Sequence, residues 1–262
     1  MSTIEPAAAL SLVPRLRRGE RIVAGWVGFP EPIFVEAVAR TALQAVVLDM
    51  QHGLHDAVSV VAGVAAVAAA GKSAIVRVAV EDFATASRAL DFGAAGVIAP
   101  MINSAADARR LVEFVKFPPR GRRSWGPGRA MVLGGIGSRE AYLAQADVLT
   151  LALAMIETRE GLAALDEILA VDGIDGVFVG PNDLCIALTD GAVVDPQASL
   201  LDEPLGRIVA AAHGAGKVAG IFGGSGARAG ELLRRGFDLV TVGHDDAYVA
   251  AGVGAMLAAM TG

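Results

Sequence analysis

The stretch LTLALAMIETREGLAALDEILAVDGIDGVFVGPND, residues 149–183, decides the fold. Two apolar runs, 149–156 and 176–179, flank a helix-length segment, 159–171, in which Leu162, Leu165, Ile168 and Leu169 recur at near-helical spacing. The pattern predicts strand, helix, strand with a parallel pair, because a connection of this length crosses over instead of turning back. The first run exits into Glu157; the second passes through Gly180, Pro181 and Asn182 into Asp183. Neighbouring parallel strands lie about 5 Å apart, so carboxylates at both C-terminal ends can hold one hard cation. Ligation by oxygen alone, with positions left for water and substrate, suits Mg2+ or Mn2+ better than zinc. Taken singly, each acid also reads as a helix-start residue that complements the helix dipole. The metal reading gains weight from polar groups at equivalent positions elsewhere in the chain.

Length and composition narrow the partners. The 262 residues suit one α/β barrel, and the 54% hydrophobic content supplies a core for it. A formal charge of -6 argues against a broad basic surface for nucleic acid or anionic lipid and favours a small-molecule partner. Cys185 is the only cysteine, so no internal disulfide forms, which fits a reducing compartment; it reads as a small buried hydrophobe. The longest uncharged runs, 57–71 and 247–262, fall short of the roughly 20 apolar residues of a membrane span. Glu5 precedes the first apolar residues and Arg15, Arg17 and Arg18 follow them, the reverse of a secretory signal, so a cytoplasmic location is expected.

Residues 7–18 read as a short helix ended by Gly19. Thereafter strand-like runs at 21–27, 45–49, 74–78, 96–99, 149–156, 176–179, 218–222 and 238–242 alternate with amphipathic helical segments. The runs are apolar on both faces, as strands covered by helices must be. Eight such repeats without a long linker predict a single (β/α)8 TIM barrel over residues 1–262. A doubly wound open sheet is the competing arrangement, and no G-x-G-x-x-G run supports it. A barrel demands its reactive groups just past the strand C-termini. The strand exits carry Asp49, Gln51 and His52; Arg77; Pro100; Glu157; Asp183; Gly223, Gly224, Ser225 and Gly226; and Gly243, His244 and Asp245.

Two segments depart from the repeat. The connection 117–146 contains PPRGRRSWGPGRA, and its Arg120, Arg122, Arg123 and Arg129 could meet an anion, solvent or another subunit; a subunit contact is the preferred reading. The C-terminal helix from Asp246 onward is apolar all round, and such helices are normally buried, so it is expected to pack on another subunit.

The exit residues also carry chemistry. In VVLDMQHGLHD, Asp49 and His52 stand three apart, close enough for the carboxylate to orient the imidazole as a general base. His55 reads as a surface loop residue, His213 as a cation near a helix C-terminus and His244 as a rim residue. Arg77 points into a barrel otherwise filled by aliphatic groups, where a guanidinium needs a partner. That partner is either a structural ion pair with Asp49 or Glu157, or an oxyanion formed during reaction beside a metal. GPNDL opens a helix whose free N–H groups at Asn182 and Asp183 can seat a carboxylate. Lys72, Lys116 and Lys217, the only lysines, fall at strand or helix boundaries away from the strand exits, so Schiff-base chemistry has no amine there.

The motifs LDMQHG, IVRV, LDFGAAGVIAPMI, PPRGRRSWGP, MIETREG and DGVFVGPNDL, in that order, resemble the HpcH/HpaI family of metal-dependent 2-oxo acid aldolases, the 4-hydroxy-2-oxoheptanedioate and 2-dehydro-3-deoxyglucarate aldolase type. The resemblance runs from about Gly25 to the C-terminus. It implies a divalent ion (Mg2+, Mn2+ or Co2+) on Glu157 and Asp183, His52 with Asp49 as an acid/base dyad, and Arg77 on the keto or enolate oxygen. It further implies a carboxylate seat at Gly180, Pro181, Asn182 and Asp183, and a homo-oligomer, a hexamer built as a trimer of dimers, in which the last helix is swapped onto a neighbour. Trp125 of the arginine-rich loop, with Phe222, would line the aldehyde side. Gln51, Met155 and Phe222 depart from residues seen in some members, and these departures bear on the acceptor aldehyde. The implied reaction is reversible cleavage of 4-hydroxy-2-oxo acids to pyruvate or hydroxypyruvate and an aldehyde. A malyl- or citramalyl-CoA-type lyase and a non-catalytic 2-oxo acid-binding barrel are the rival readings.

Overall fold

The computed structural model describes residues 7–260; Glu5 of the N-terminal charge pattern, and residues 261 and 262, lie outside that range. Eight parallel strands, β1 (Ile22–Val27), β2 (Ala45–Asp49), β3 (Ser73–Arg77), β4 (Gly96–Ala99), β5 (Leu151–Ile156), β6 (Gly176–Val179), β7 (Val218–Phe222) and β8 (Leu239–Val242), close in sequence order into a barrel. β8 pairs with β1 from Ile22↔Leu239 to Gly25↔Val242. All eight expected strands are present. The fifth begins two residues later than expected because the preceding helix runs to Leu149, and the third spans Ser73–Arg77 instead of 74–78.

Side chains alternate across a strand, and here the alternation separates two cores. Outward residues such as Leu48, Val76, Val97, Ala154, Val177 and Ile221 join one apolar cluster with buried positions of the helices. These include Val60, Val64 and Val67 of α3 (Ala57–Ala69) and Ala86, Ala89 and Leu90 of α4 (Phe83–Phe92). Inward residues form the second cluster: Ile22, Ala24 and Trp26, Ala45 and Val47, Leu151, Leu153 and Met155, and Phe178. Continuing each inward series past the apolar layers reaches Asp49, Arg77 and Glu157, all nearly buried. The period that fills the barrel therefore also delivers its polar groups to one end.

The opposite end is plugged. The expected N-terminal helix is a 3-10 turn, Ala8–Leu10, followed by α1 (Leu12–Arg17), and Gly19 leaves it with φ +80°. Leu10, Leu12, Val13 and Leu16 belong to the interior cluster, and Ser73 donates through Oγ to Ala8 O at 2.8 Å. The long connection before β5 folds into α6 (Gly128–Leu133) and α7 (Arg139–Leu149), which add Ala130, Tyr142 and Ala146 to the same cluster. Two of its arginines serve the chain itself. Arg123 is buried against Asp91 at 2.7 Å and over the Phe117 ring, and Arg120 pairs with Asp172 and Asp147. Lys72, Lys116 and Lys217 lie at the N-terminal side of β3, at the end of α5 (Ala105–Val115) and before β7, away from the C-terminal mouth. Among the described residues no helix is long and apolar enough to cross a membrane.

Leu10 is fully buried in this plug. Leu10→Ala should lose about 2–5 kcal/mol in urea unfolding, the usual cost of a large-to-small core change. A loss below about 0.5 kcal/mol, the range of surface substitutions, would show that the plug is not part of the cooperative core.

Candidate active site

A cavity of about 280 Å³ opens at the C-terminal mouth. It is lined by Trp26, Asp49, His52, Arg77, Met155, Gly180, Pro181, Asn182, Asp183, Phe222, His244 and Asp245, among others.

Asp49 and Arg77 are register partners on β2 and β3 and point inward together. Arg77 donates from Nε to Asp49 Oδ1 at 2.8 Å and from Nη2 to Oδ2 at 2.5 Å, a two-pronged pair with both residues less than a tenth exposed. The Trp26 indole donates to Asp49 Oδ2 at 3.3 Å and its ring faces the guanidinium at 4.7 Å. The backbone N–H groups of Gln51 and His52 donate to Asp49 Oδ1. Burial alone raises the Asp49 carboxyl, but Arg77 and the two amides outweigh it and hold the group below the usual carboxylate range.

The expected dyad residues are neighbours through the backbone. Asp49 meets His52 through the backbone amide at 3.4 Å, and no hydrogen bond between the carboxylate and the imidazole is present among the described residues. A buried guanidinium must be paired, whereas an imidazole at a cavity wall can reach water, so Arg77 takes the Asp49 oxygens. Asp49 therefore shapes the loop that carries His52 through its backbone amides. Of the two expected readings of Arg77, the ion pair with Asp49 is the one formed. Its Nη1 has no hydrogen-bond partner among the described residues, so one donor edge remains for a ligand.

Glu157, at the exit of β5, is 3% exposed and accepts the Met101 N–H through Oε1 at 2.7 Å. Met101 adopts φ +56°, a conformation unusual for a side-chain-bearing residue, to aim that amide. Glu157 Oε2 faces Gly180, where a Cβ would come within 2.6 Å of it, so any side chain there would displace the carboxylate tip. Burial pushes the Glu157 carboxyl up; the Met101 amide opposes the shift and the nearby negative Asp183 adds to it. Asp183 lies in the first turn of α10 (Pro181–Leu188), with Gly180 as N-cap, and its carboxylate has no hydrogen bond or ion pair among the described residues. The two acids thus bring unengaged oxygens to one place, and the charge of Arg77 offsets theirs only in part. No third acid, histidine or cysteine joins them in a metal-binding cluster among the described residues. Two carboxylates with the remaining positions open is a donor set that suits a hard divalent ion.

The other expected residues divide. Phe222 stands edge-on to Trp26 at 5.2 Å inside the mouth. Trp125 does not reach the cavity of its own chain; it packs against Phe117 and Tyr142 at the plugged end and is 43% exposed. His55 is buried, not on the surface: its Nδ1 sits 3.2 Å from Ser59 Oγ, and burial pushes its pKa down. His213, in the last turn of α11 (Asp202–Gly214), pairs with Asp238 at 3.0 Å.

Three contributors escaped the sequence reading. Trp26 was readable, being the third inward position after Ile22 and Ala24. Met101 acts through a backbone amide and leaves no side-chain signature. Asp245 was noted only as a strand-exit residue, yet its buried carboxylate accepts from the Gly28 and Phe29 N–H groups at 2.7 and 3.1 Å.

A closed parallel barrel with two neighbouring carboxylates, a helix start and an arginine donor at its C-terminal mouth defines a class: barrel enzymes that act on a small anionic molecule at that rim. Residues 23–251 match the family described as HpcH/HpaI aldolase/citrate lyase, and the chain belongs to that family. It is 44% identical to a hydroxypyruvate/pyruvate aldolase of Rhizorhabdus wittichii, over 89% of this chain and 91% of that one. It is 34% identical to a 4-hydroxy-2-oxovalerate aldolase of Novosphingobium aromaticivorans, over 91% and 90%. The crystal structure of an HpcH/HpaI aldolase/citrate lyase family protein from Burkholderia cenocepacia superposes with a TM-score of 0.85 at 30% identity, covering 96% of this chain and 99% of that one.

The raised Glu157 carboxyl gives a signed prediction. A native pKa above the unfolded value means that metal-free protein loses stability as pH climbs from about 4.3, the ordinary glutamate value, through the native one. Glu157→Gln should remove that loss. At pH 7 without divalent ions its melting temperature should equal or exceed that of the wild type, and its upshift on adding Mn2+ should be abolished. A variant that melts lower and still responds to Mn2+ would contradict the reading.

Proposed function

We propose that the chain is a metal-dependent aldolase that reversibly cleaves 4-hydroxy-2-oxo acids to pyruvate or hydroxypyruvate and an aldehyde. The observation that carries this is the pair of neighbouring carboxylates, Glu157 with Oε2 unengaged and Asp183, beside the open start of α10 and the free edge of Arg77. Glu157 and Asp183 would hold the divalent ion, Mg2+, Mn2+ or Co2+. When bound, such an ion supplies Lewis-acid charge that draws electrons toward the oxo oxygen of the substrate.

The chain's own groups do the rest. The amides of Asn182 and Asp183, free at the helix start, receive the substrate carboxylate, with Gly180 and Pro181 shaping the seat. Arg77 turns its free edge to the C2 oxygen and stabilises the negative charge that grows there. In cleavage, His52 takes the proton of the C4 hydroxyl, the C3–C4 bond breaks to release the aldehyde, and its electron pair moves into the C2–C3 enolate. Reprotonation at C3 yields the oxo acid. In the synthetic direction His52 assists removal of the C3 proton. His52 works without an imidazole-bound carboxylate among the described residues, so its orientation comes from the loop that Asp49 holds. Phe222 and Trp26 form an aromatic wall at the cavity mouth, the side on which the aldehyde leaves.

A CoA-thioester lyase would need a basic surface for the nucleotide. The arginine-rich loop serves that need poorly, because Arg120 and Arg123 are already paired within the chain.

The assembly we propose is a homo-oligomer, a hexamer arranged as a trimer of dimers. The support is α13 (Asp245–Ala259), whose Val249, Val253, Met256 and Leu257 are all at least half exposed, an apolar face that a neighbouring copy would cover. Trp125, exposed at the plugged end, would then serve the aldehyde side of a neighbour's cavity. We place the enzyme in the cytoplasm, a reading supported by a single cysteine, Cys185, which is buried and unpaired.

Two outcomes check the reaction. His52→Ala should lower kcat for 4-hydroxy-2-oxovalerate cleavage by roughly 100- to 10,000-fold, the usual span for a lost acid/base group, with little change in KM. Protein treated with a chelator should be inactive and recover with Mn2+; full activity after chelation would refute the metal-dependent scheme. For the assembly, Leu257→Asp should shift the sedimentation coefficient toward the monomer, and an unchanged coefficient would show that α13 is not at the interface.

A further inference from the structure

The pairing of β8 with β1 stops at Gly25↔Val242, before either strand reaches the cavity rim. Above that point the first turn of α13 takes over. Tyr248 donates through its hydroxyl to Val242 O at 2.6 Å and accepts the Trp26 N–H at 2.9 Å, standing between the two strands where the next ladder bond would be. One step further out, Asp245 continues the series with its bonds to the Gly28 and Phe29 amides, which use both carboxylate oxygens. Asp245 is 7% exposed, so these charge-assisted bonds form away from bulk water, where they are strong.

What Asp245 holds is the support on which the His52 loop rests. Gly28 O accepts the Leu54 N–H at 2.8 Å. A Cβ at Gly53 would lie 2.7 Å from Gly28 Cα and 2.3 Å from Asp49 O, so the loops leaving β1 and β2 are in backbone contact with no room for a side chain between them. His52 precedes that contact by one residue. From the other side, Trp26, whose amide Tyr248 holds, bonds Asp49 and faces Arg77.

We infer that Asp245, backed by Tyr248, is a positioning residue for catalysis: it fixes the β1 exit and, through the Gly28–Gly53 contact, the placement of the His52 imidazole at the substrate. The inference rests on His52 being the acid/base group proposed above. Asp245 borders the cavity, but each of its oxygens already accepts a backbone N–H, and the role inferred for it is positional. Glu157 and the start of α10 make no hydrogen bond to Asp245 among the described residues. Loss of Asp245 should therefore slow proton transfer while leaving oxo acid binding intact.

The test is exchange of the pyruvate C3 protons into D2O, followed by NMR with the full-length Mn2+-loaded enzyme, at saturating and at half-saturating pyruvate. Asp245→Ala should lower the maximal exchange rate roughly 10- to 100-fold, the scale of a misplaced catalytic group, with an unchanged half-saturating concentration. Asp245→Asn, which keeps one acceptor for the two amides, should recover part of the rate. Tyr248→Phe, a milder change that keeps the ring, should slow exchange several-fold and serves if Asp245→Ala does not fold. Wild-type exchange in Asp245→Asn and Tyr248→Phe, or a raised half-saturating concentration at wild-type maximal rate, would overturn the inference. His52→Ala run alongside separates the two claims. If it exchanges at the wild-type rate, the acid/base reading itself falls. If it is slow while the Asp245 and Tyr248 variants are fast, only the positioning role does.

Discussion

The charge balance at the barrel mouth constrains everything built there. Arg77 is the cation lining the cavity, and it is engaged by Asp49 through two hydrogen bonds. Removing one partner of such a pair strands a buried charge, a loss on the order of 3–5 kcal/mol. The pair is therefore fixed; the charge of Arg77 still favours the ionised Glu157, but burial and the neighbouring Asp183 outweigh it. Burial and mutual repulsion then act against the ionised form of Glu157, as the upward displacement of its carboxyl records. In the function proposed above, a divalent ion held by the two acids would offset that charge, and the protein would supply its alignment.

Alignment comes from the barrel's own alternation. The inward positions that carry aliphatic side chains lower down carry Asp49, Arg77 and Glu157 at the rim, and Gly180 leaves the space that Glu157 fills. The rim is not closed by strand pairing alone. Between β8 and β1 the first turn of α13 replaces ladder bonds with side-chain bonds from Tyr248 and Asp245. One helix consequently holds the mouth with its first turn and presents an apolar, exposed face with the remainder.

Much of this was legible from residues alone. Eight apolar runs gave the closed barrel because strands buried on both faces have a distinctive composition, and Glu157 and Asp183 stood at their exits. The pairing of Asp49 with Arg77 was offered only as one of two alternatives, because sequence separation points first to a partner three residues away. Register instead places Arg77 directly beside Asp49 on the next strand, and a guanidinium wins that competition. His55 was misplaced for a related reason: a polar residue in a turn reads as exposed, while Ser59 gives it a buried partner. Met101 could not have been found, since its part is a backbone amide in an unusual conformation. Asp245 was visible as a strand-exit acid, but its bonds run to Gly28 and Phe29, more than 200 residues earlier in the chain.

The central claim is that Glu157 and Asp183 share one divalent ion and, with Arg77 and the start of α10, seat a 2-oxo acid. A crystal of the protein soaked in Mn2+ and pyruvate and measured at the manganese absorption edge tests it most directly. The account predicts one anomalous peak between the two carboxylates, with pyruvate's carboxylate at the Asn182 and Asp183 amides and its oxo oxygen facing Arg77. Manganese bound elsewhere, or the two carboxylates turned apart with no shared peak at saturating Mn2+, would contradict it.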